Sequence, residues 1–168
     1  PRMPFVYRSI DAGDHFTTYP YVLGTGETNI FIAAIDPTNS DRLYVRVSGD
    51  QRTTPISPDK LIISDDGGMT FHEVISLVDM YGFAQSDDGQ TIWVGSPGDG
   101  LFRSDDRGEH FTNVNSSLQV NCLAARGTEL WACANDFADG FAVGVSTNGG
   151  MSFAGKVRLK TIAGAVDC

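Results

Sequence analysis

Lysine is almost missing from these 168 residues: three lysines and nine arginines face 21 aspartates and glutamates, a net charge of −9 at pH 7. No basic cluster occurs anywhere. Binding to DNA, RNA or an anionic membrane surface draws on counterion release by Lys and Arg, so those partners are excluded. Long apolar runs are also missing. Those present are short, such as Ile30–Ile35 and Leu61–Ile63, whereas a membrane helix needs about 20 apolar residues. No membrane-spanning segment is expected. Helical periodicity is nearly absent, since no window repeats apolar residues at i, i+3, i+4, i+7 over three turns. Pro1 is not an initiator methionine and no signal peptide is visible, so the chain reads as processed, excised or partial.

What remains fits one ordinary domain. A chain of this length can bury roughly 68–70 % of its extended surface, and 41 % of the residues are hydrophobic. Glycine stands at 19 of 168, above the usual ~7 %. Short apolar or alternating runs are separated by turn signals such as Asp65-Asp66-Gly67-Gly68, Pro97-Gly98-Asp99-Gly100 and Asn148-Gly149-Gly150. That pattern predicts an all-β chain of about a dozen strands.

An internal repeat organises those strands. Four segments share the form S-x-[DN]-x-G-x-x-F: Ser9, Asp11, Gly13, Phe16; Ser64, Asp66, Gly68, Phe71; Ser104, Asp106, Gly108, Phe111; and Ser146, Asn148, Gly150, Phe153. Random placement would give about 0.01 matches in this length. The boxes start at 9, 64, 104 and 146, hence at intervals of 55, 40 and 42, which is propeller-blade length with one insertion. In physical terms each box is a tight hairpin. The Asp or Asn accepts backbone N–H groups within the turn, the Gly permits φ > 0, the Ser closes the incoming strand, and the Phe is expected to point into the core. All sixteen residues are read as structural.

The motif resembles the Asp-box, or bacterial neuraminidase repeat, of sialidases, sortilin-type receptors, xyloglucan-degrading enzymes and photosystem II assembly-factor-like proteins. The resemblance covers the whole chain. It implies a β-propeller with each box between the third and fourth strands of a blade. Residues 1–168 form one propeller segment, with blade repeats near 1–20, 29–76, 80–115 and 119–158 and a tail at 159–168. The inner strands would be Asn29–Ile35, Met80–Gln85 and Val120–Ala125. Three and a half blades fall short of the roughly four to eight of a closed propeller. The faces around Phe5, Tyr7, Phe141 and Val143 are therefore expected to meet further propeller blades or a protein partner.

Function is carried less clearly. The resemblance implies top-face loops at Gly49–Asp59, Ser96–Gly100 and Asn135–Gly140, where Asp50, Gln51, Arg52, Asp99, Asp136, Phe137 and Asp139 are candidate ligand contacts. Asp99, Asp136 and Asp139 occupy corresponding loops and could converge on a cation, but no full calcium-loop spacing appears, so neither a metal nor a cofactor is expected. A sialidase would need an arginine triad, a Tyr/Glu nucleophile pair and an acid Asp. Arg2-Met3-Pro4 echoes that family's early motif out of place, and no catalytic residue can be assigned. His15, His72 and His110 are related by the repeat and expected to lie far apart. The expected function is a non-catalytic binding or scaffold module with protein or glycan contacts. The alternative is a fragment of a propeller-type glycoside hydrolase. The acidic composition and the habits of the resembled family suggest an exported bacterial protein, secreted, periplasmic or at the cell surface.

The cysteines number three. Cys122 and Cys133 flank Arg126-Gly127-Thr128 and would lie opposite one another in a hairpin. They can bond, or serve as small apolar residues in a strand pair, or Cys133 can bond Cys168 instead.

Overall fold

The computed structural model describes residues 3–162, so Arg2 and Cys168 lie outside the described part. Four antiparallel sheets follow one another along the chain. The first has only two strands, β1 (Phe5–Arg8) and β2 (Thr17–Pro20). The second, blade B, comprises β3 (Glu27–Asp36), β4 (Asn39–Gly49), β5 (Asp59–Ser64) and β6 (His72–Leu77). Blade C comprises β7 (Gly82–Gln85), β8 (Ile92–Ser96), β9 (Gly100–Ser104) and β10 (Thr112–Asn115). Blade D comprises β11 (Cys122–Arg126), β12 (Glu129–Cys133), β13 (Val143–Ser146) and β14 (Ala154–Val157). Each blade is a meander in which every strand pairs with the next in sequence. This is a partial β-propeller of three complete blades and the outer half of another. No helix of the described residues is long and apolar enough to cross a membrane.

The repeat motif sits where a blade needs its sharpest turn. Boxes two, three and four join the third and fourth strands of blades B, C and D, and box one joins β1 to β2. The four box glycines, Gly13, Gly68, Gly108 and Gly150, have φ of 99°, 99°, 88° and 99°, a region where a Cβ is disfavoured.

Alternation along each strand sends side chains to two neighbouring blades in turn. Three apolar clusters result, one between each pair of consecutive sheets. Val6 meets Leu43, Val45, Val47 and Ile62 between the first hairpin and blade B. Tyr44, Leu61 and Ile63 meet Ile92 and Val94 between blades B and C. Trp93 and Leu101 meet Leu130 and Ala132 between blades C and D.

The box phenylalanines correct one expectation. Phe71, Phe111 and Phe153 are only half-buried, packing on the edges of these clusters. Phe16 is 59 % exposed. Each ring of the complete blades leans on the blade before its own, and among the described residues no such blade packs on Phe16. Phe141 is a second correction. It belongs to no end face; it is 6 % exposed inside the C–D cluster and stacks on Phe153 with ring centroids 6.0 Å apart. Phe5 and Tyr7 do lie open, at 43 % and 61 %.

The inner strand β3 is exposed for the same reason as Phe16. Ile32 and Ile35 are 53 % and 49 % exposed, and they line a hollow with Val6, Tyr7 and Arg8 of the first hairpin. Among the described residues, only the two strands of the first hairpin stand against them.

Cys122 and Cys133 are directly opposed in the β11–β12 register and joined by a disulfide. Of the three alternatives left open by the sequence, two pairings and an unbonded strand pair, the cross-strand bond is the one formed.

Candidate functional site

Within each box the serine hydroxyl is the hub. In box three, Ser104 Oγ donates to Asp106 Oδ1 at 2.6 Å and accepts the Gly108 N–H at 2.8 Å. Asp106 Oδ1 then accepts the His110 N–H at 3.0 Å. The same serine-to-acceptor and glycine-to-serine bonds recur in boxes one, two and four. Asn148 keeps the acceptor role in box four, receiving the Ser152 N–H at 3.1 Å. Ser104 is 1 % exposed. Ser104→Ala strands the Gly108 amide, and chemical denaturation should register a loss of about 1–3 kcal/mol, the usual cost of an unpaired buried donor.

These bonds also set acidity. The Thr70 hydroxyl and amide, with Ser64 and the Met69 amide, hold the Asp66 carboxyl down from 3.8 to about 2. Ser104 and then His110 depress Asp106 further still. A folded-state pKa below the unfolded value means the contribution is whole above about pH 4 and is lost as pH falls toward 2. Thermal denaturation should therefore give a flat melting temperature from pH 7 to 5 and a steep fall below 4. Asp66→Asn, which mimics box four, should make that fall shallower; an unchanged slope would count against this origin.

Box turns also join blades. Tyr44, Trp93 and Trp131 occupy one equivalent position on the second strands β4, β8 and β12. The Tyr44 hydroxyl donates to the Arg107 carbonyl in the box of the next blade at 3.0 Å. The Trp93 indole donates to the Gly149 carbonyl in the box after that, also at 3.0 Å. At the B–C joint the Arg42 guanidinium, 9 % exposed, gathers Asp65, Glu109, the Tyr44 hydroxyl and the Arg107 carbonyl. His72 Nε2 approaches Glu109 at 3.2 Å. Asp65, His72 and Glu109 are close enough together to ligate a cation, but the guanidinium already supplies their positive charge. Arg42 comes first among the influences that hold Glu109 low, and its bonds outweigh the effect of burial.

The loop residues singled out from sequence occupy three separate places. Asp50 pairs with Arg52 at 2.9 Å, which lowers the Asp50 pKa, and Gln51 reaches the Ser57 carbonyl at 3.4 Å. Asp99 accepts the Val78 N–H at 2.7 Å on the link between blades B and C. Asp139 accepts the Asn135 N–H at 2.9 Å and faces the Gln119 N–H on the C–D link. Asp59, at the start of β5, accepts the Gly49 and Met80 N–H groups, so it and Asp99 hold the same B–C link from the two blades it joins. Among the described residues, Asp99, Asp136 and Asp139 do not gather as a cation-binding group. Asp136 has one buried oxygen without a partner, and Phe137 is 96 % exposed.

A groove unmarked in the sequence reading lies between the inner parts of blades B and C. Phe31, Ala33, Arg46, Leu61, Met80, Tyr81, Gly82 and Phe83 line a volume of about 230 Å³. Arg46 stacks over Phe31 at 5.3 Å and donates to the Met80 carbonyl at 2.9 Å. Phe31 and Tyr81 are 48 % and 53 % exposed. The lining offers aromatic area and one cation, the chemistry of recognition. Its single sequence trace is Arg46, a charge inside the apolar run Leu43–Val47.

No family model matches the sequence, and no curated protein matches it. Solved structures match at the level of the fold. A GH74 enzyme from Niastella koreensis superposes with a TM-score of 0.59 at 19 % identity, over 77 % of this chain and 22 % of its own. The GH74 xyloglucanase from Xanthomonas campestris gives 0.57 at 19 %, over 77 % and 23 %. YCF48 bound to a D1 peptide gives 0.55 at 12 %, over 92 % and 48 %. The chain thus spans between about a quarter and a half of the length of these proteins. It shares their β-propeller architecture.

Proposed function

We propose that this chain is a non-catalytic binding or scaffold module of an exported β-propeller protein, making protein contacts through the groove between blades B and C. The observation that carries the reading is the groove itself: exposed Phe31 and Tyr81 beside the half-buried cation Arg46. Aromatic residues and arginine dominate binding hot spots because they offer large contact area with a directed polar group. That lining suits an extended peptide with an apolar side chain and a carboxylate. YCF48, similar in fold, has been solved with a peptide bound. The Cys122–Cys133 disulfide supports an oxidising, exported setting, since such bonds persist outside the reducing cytosol.

A glycoside hydrolase fragment is the second reading, favoured by the fold of the two GH74 enzymes. Such chemistry uses two carboxylates roughly 5–10 Å apart in a cleft, one held protonated. Glu109 sits near Asp65, yet its pKa is lowered and Arg42 binds both, which is unsuited to a general acid.

Peptide and glycan arrays, together with a xyloglucan and sialoside hydrolysis assay, separate the readings. Peptide hits whose affinity falls about tenfold in Tyr81→Ala, with an unchanged melting temperature, are expected. Substrate turnover, or peptide hits indifferent to Tyr81→Ala, would overturn the proposal.

A further inference from the structure

Box four is the only box whose acceptor is an amide, and a glycine follows it: Asn148-Gly149, against Asp11-Ala12, Asp66-Gly67 and Asp106-Arg107. In blades B and C the main-chain amide after the acceptor is tied down. The Gly67 N–H donates to the Asp41 carbonyl at 2.8 Å, and the Arg107 N–H to the Gln90 carbonyl at 3.0 Å. Each of these carbonyls stands two residues before the strand residue that pairs with the box serine, Leu43 in blade B and Ile92 in blade C. The counterpart in blade D is Thr128, two residues before Leu130. Yet no acceptor takes up the Gly149 N–H among the described residues.

An unengaged nitrogen therefore adjoins a side-chain amide. Gly149 has no Cβ to shield it, and Asn148 is exposed. Asp106, at the same place in box three, is exposed with blade D packed against blade C, so exposure belongs to the box position itself. The Asn148 carbonyl oxygen accepts the Ser146 hydroxyl at 2.8 Å and the Ser152 N–H at 3.1 Å. Two donors thus already face the oxygen on which negative charge develops when Cγ is attacked. Asn148 Nδ2 lies 2.8 Å from Ser152 Oγ, to which it donates.

We infer that Asn148-Gly149 is a self-modifying site, at which the folded chain deamidates to aspartate and isoaspartate. The Gly149 nitrogen attacks Asn148 Cγ and loses its proton to water. A succinimide ring closes as the Cγ–Nδ2 bond breaks, and the nitrogen takes up a proton and leaves as ammonia. Water then opens the ring. Addition at Cγ gives aspartate, and addition at the Asn148 main-chain carbonyl gives isoaspartate, with the main chain rerouted through Cβ and Cγ. The net change consumes water and releases ammonia. The two products differ in effect. Aspartate is the acceptor of boxes one to three and keeps the serine bond. Isoaspartate lengthens the main chain by a methylene just before Gly149, whose carbonyl accepts the Trp93 indole at 3.0 Å. The isoaspartyl form loosens the C–D joint, so the site is a clock on the age of the folded protein.

Incubation of the folded chain at mildly alkaline pH, followed by ammonia release, peptide mapping and enzymatic methylation of isoaspartate, tests this. Release should localise to Asn148 and run within about tenfold of its rate in an unfolded peptide spanning residues 144–153. Asn148→Asp should release none at this site. Gly149→Ala places a Cβ beside the nitrogen at φ 74°, where Ala12 of box one is accommodated at 58°. That variant should slow release by at least about tenfold with unchanged circular dichroism. The isoaspartyl fraction, separated by chromatography, should melt below the aspartyl fraction, which should match Asn148→Asp. A native rate more than about tenfold below that of the peptide, earlier release from another asparagine, or Gly149→Ala as fast as wild type would overturn the inference. So would an isoaspartyl form as stable as the aspartyl one.

Discussion

Gly150→Val should be among the most damaging single substitutions in the chain, costing about 3–5 kcal/mol and shifting the denaturation midpoint accordingly. Two penalties coincide at this residue. Its φ of 99° lies where an L side chain is strained, worth about 1–3 kcal/mol. Its Cβ would also stand 2.6 Å from Leu101 Cδ2, with Leu130 and Val114 at 3.4 Å. Leu101 is fully buried and cannot retreat without moving blade C, and overpacking of this kind adds about 1–3 kcal/mol. A midpoint within about 1 kcal/mol of wild type would mean that blades C and D are not pressed together through the box.

Arg42→Leu should destabilise by about 3 kcal/mol. The guanidinium donates to Asp65, Glu109, the Tyr44 hydroxyl and the Arg107 carbonyl. Removing one partner of a buried ion pair commonly costs 3–5 kcal/mol because the other is left uncompensated. Asp65 and Glu109 are 51 % and 39 % exposed, so water recovers part of that and the lower end applies. Arg42→Lys should regain little, since a single ammonium cannot address four acceptors held in different directions. Equal stabilities for Arg42→Leu and wild type would leave the B–C joint resting on apolar contact alone.

Sequence made the architecture legible because a box is a local object. Ser64, Asp66 and Gly68 find their partners within a few residues, so four boxes located four hairpins and the strands around them. Burial of the box phenylalanines is not local. Phe71 and Phe16 occupy the same position of the box, and what separates them is that a preceding sheet packs on Phe71 and none among the described residues packs on Phe16. Phe141 was misplaced for a related reason: it leaves the loop before β13 and folds back over Gly144, which a strand alternation does not reveal. Asp99 and Asp139 carry the composition of ligand residues, yet the amides of Val78, Asn135 and Gln119 take up their oxygens. The groove draws Phe31, Arg46 and Tyr81 from three segments with no shared spacing, so no linear pattern marks it.

The central claim is that box turns are the joints by which one blade receives the next. It is tested most directly by replacing each box glycine with alanine and comparing unfolding free energies at a concentration where the chain is monomeric. All four share a positive φ of 88–99°, so backbone strain is common to the set and cancels. Gly150→Ala should exceed Gly13→Ala by about 1–3 kcal/mol, because Leu101 crowds the first at 2.6 Å and the second meets only its own Phe16 in ordinary contact at 3.9 Å. Equal costs at the two positions would contradict the claim.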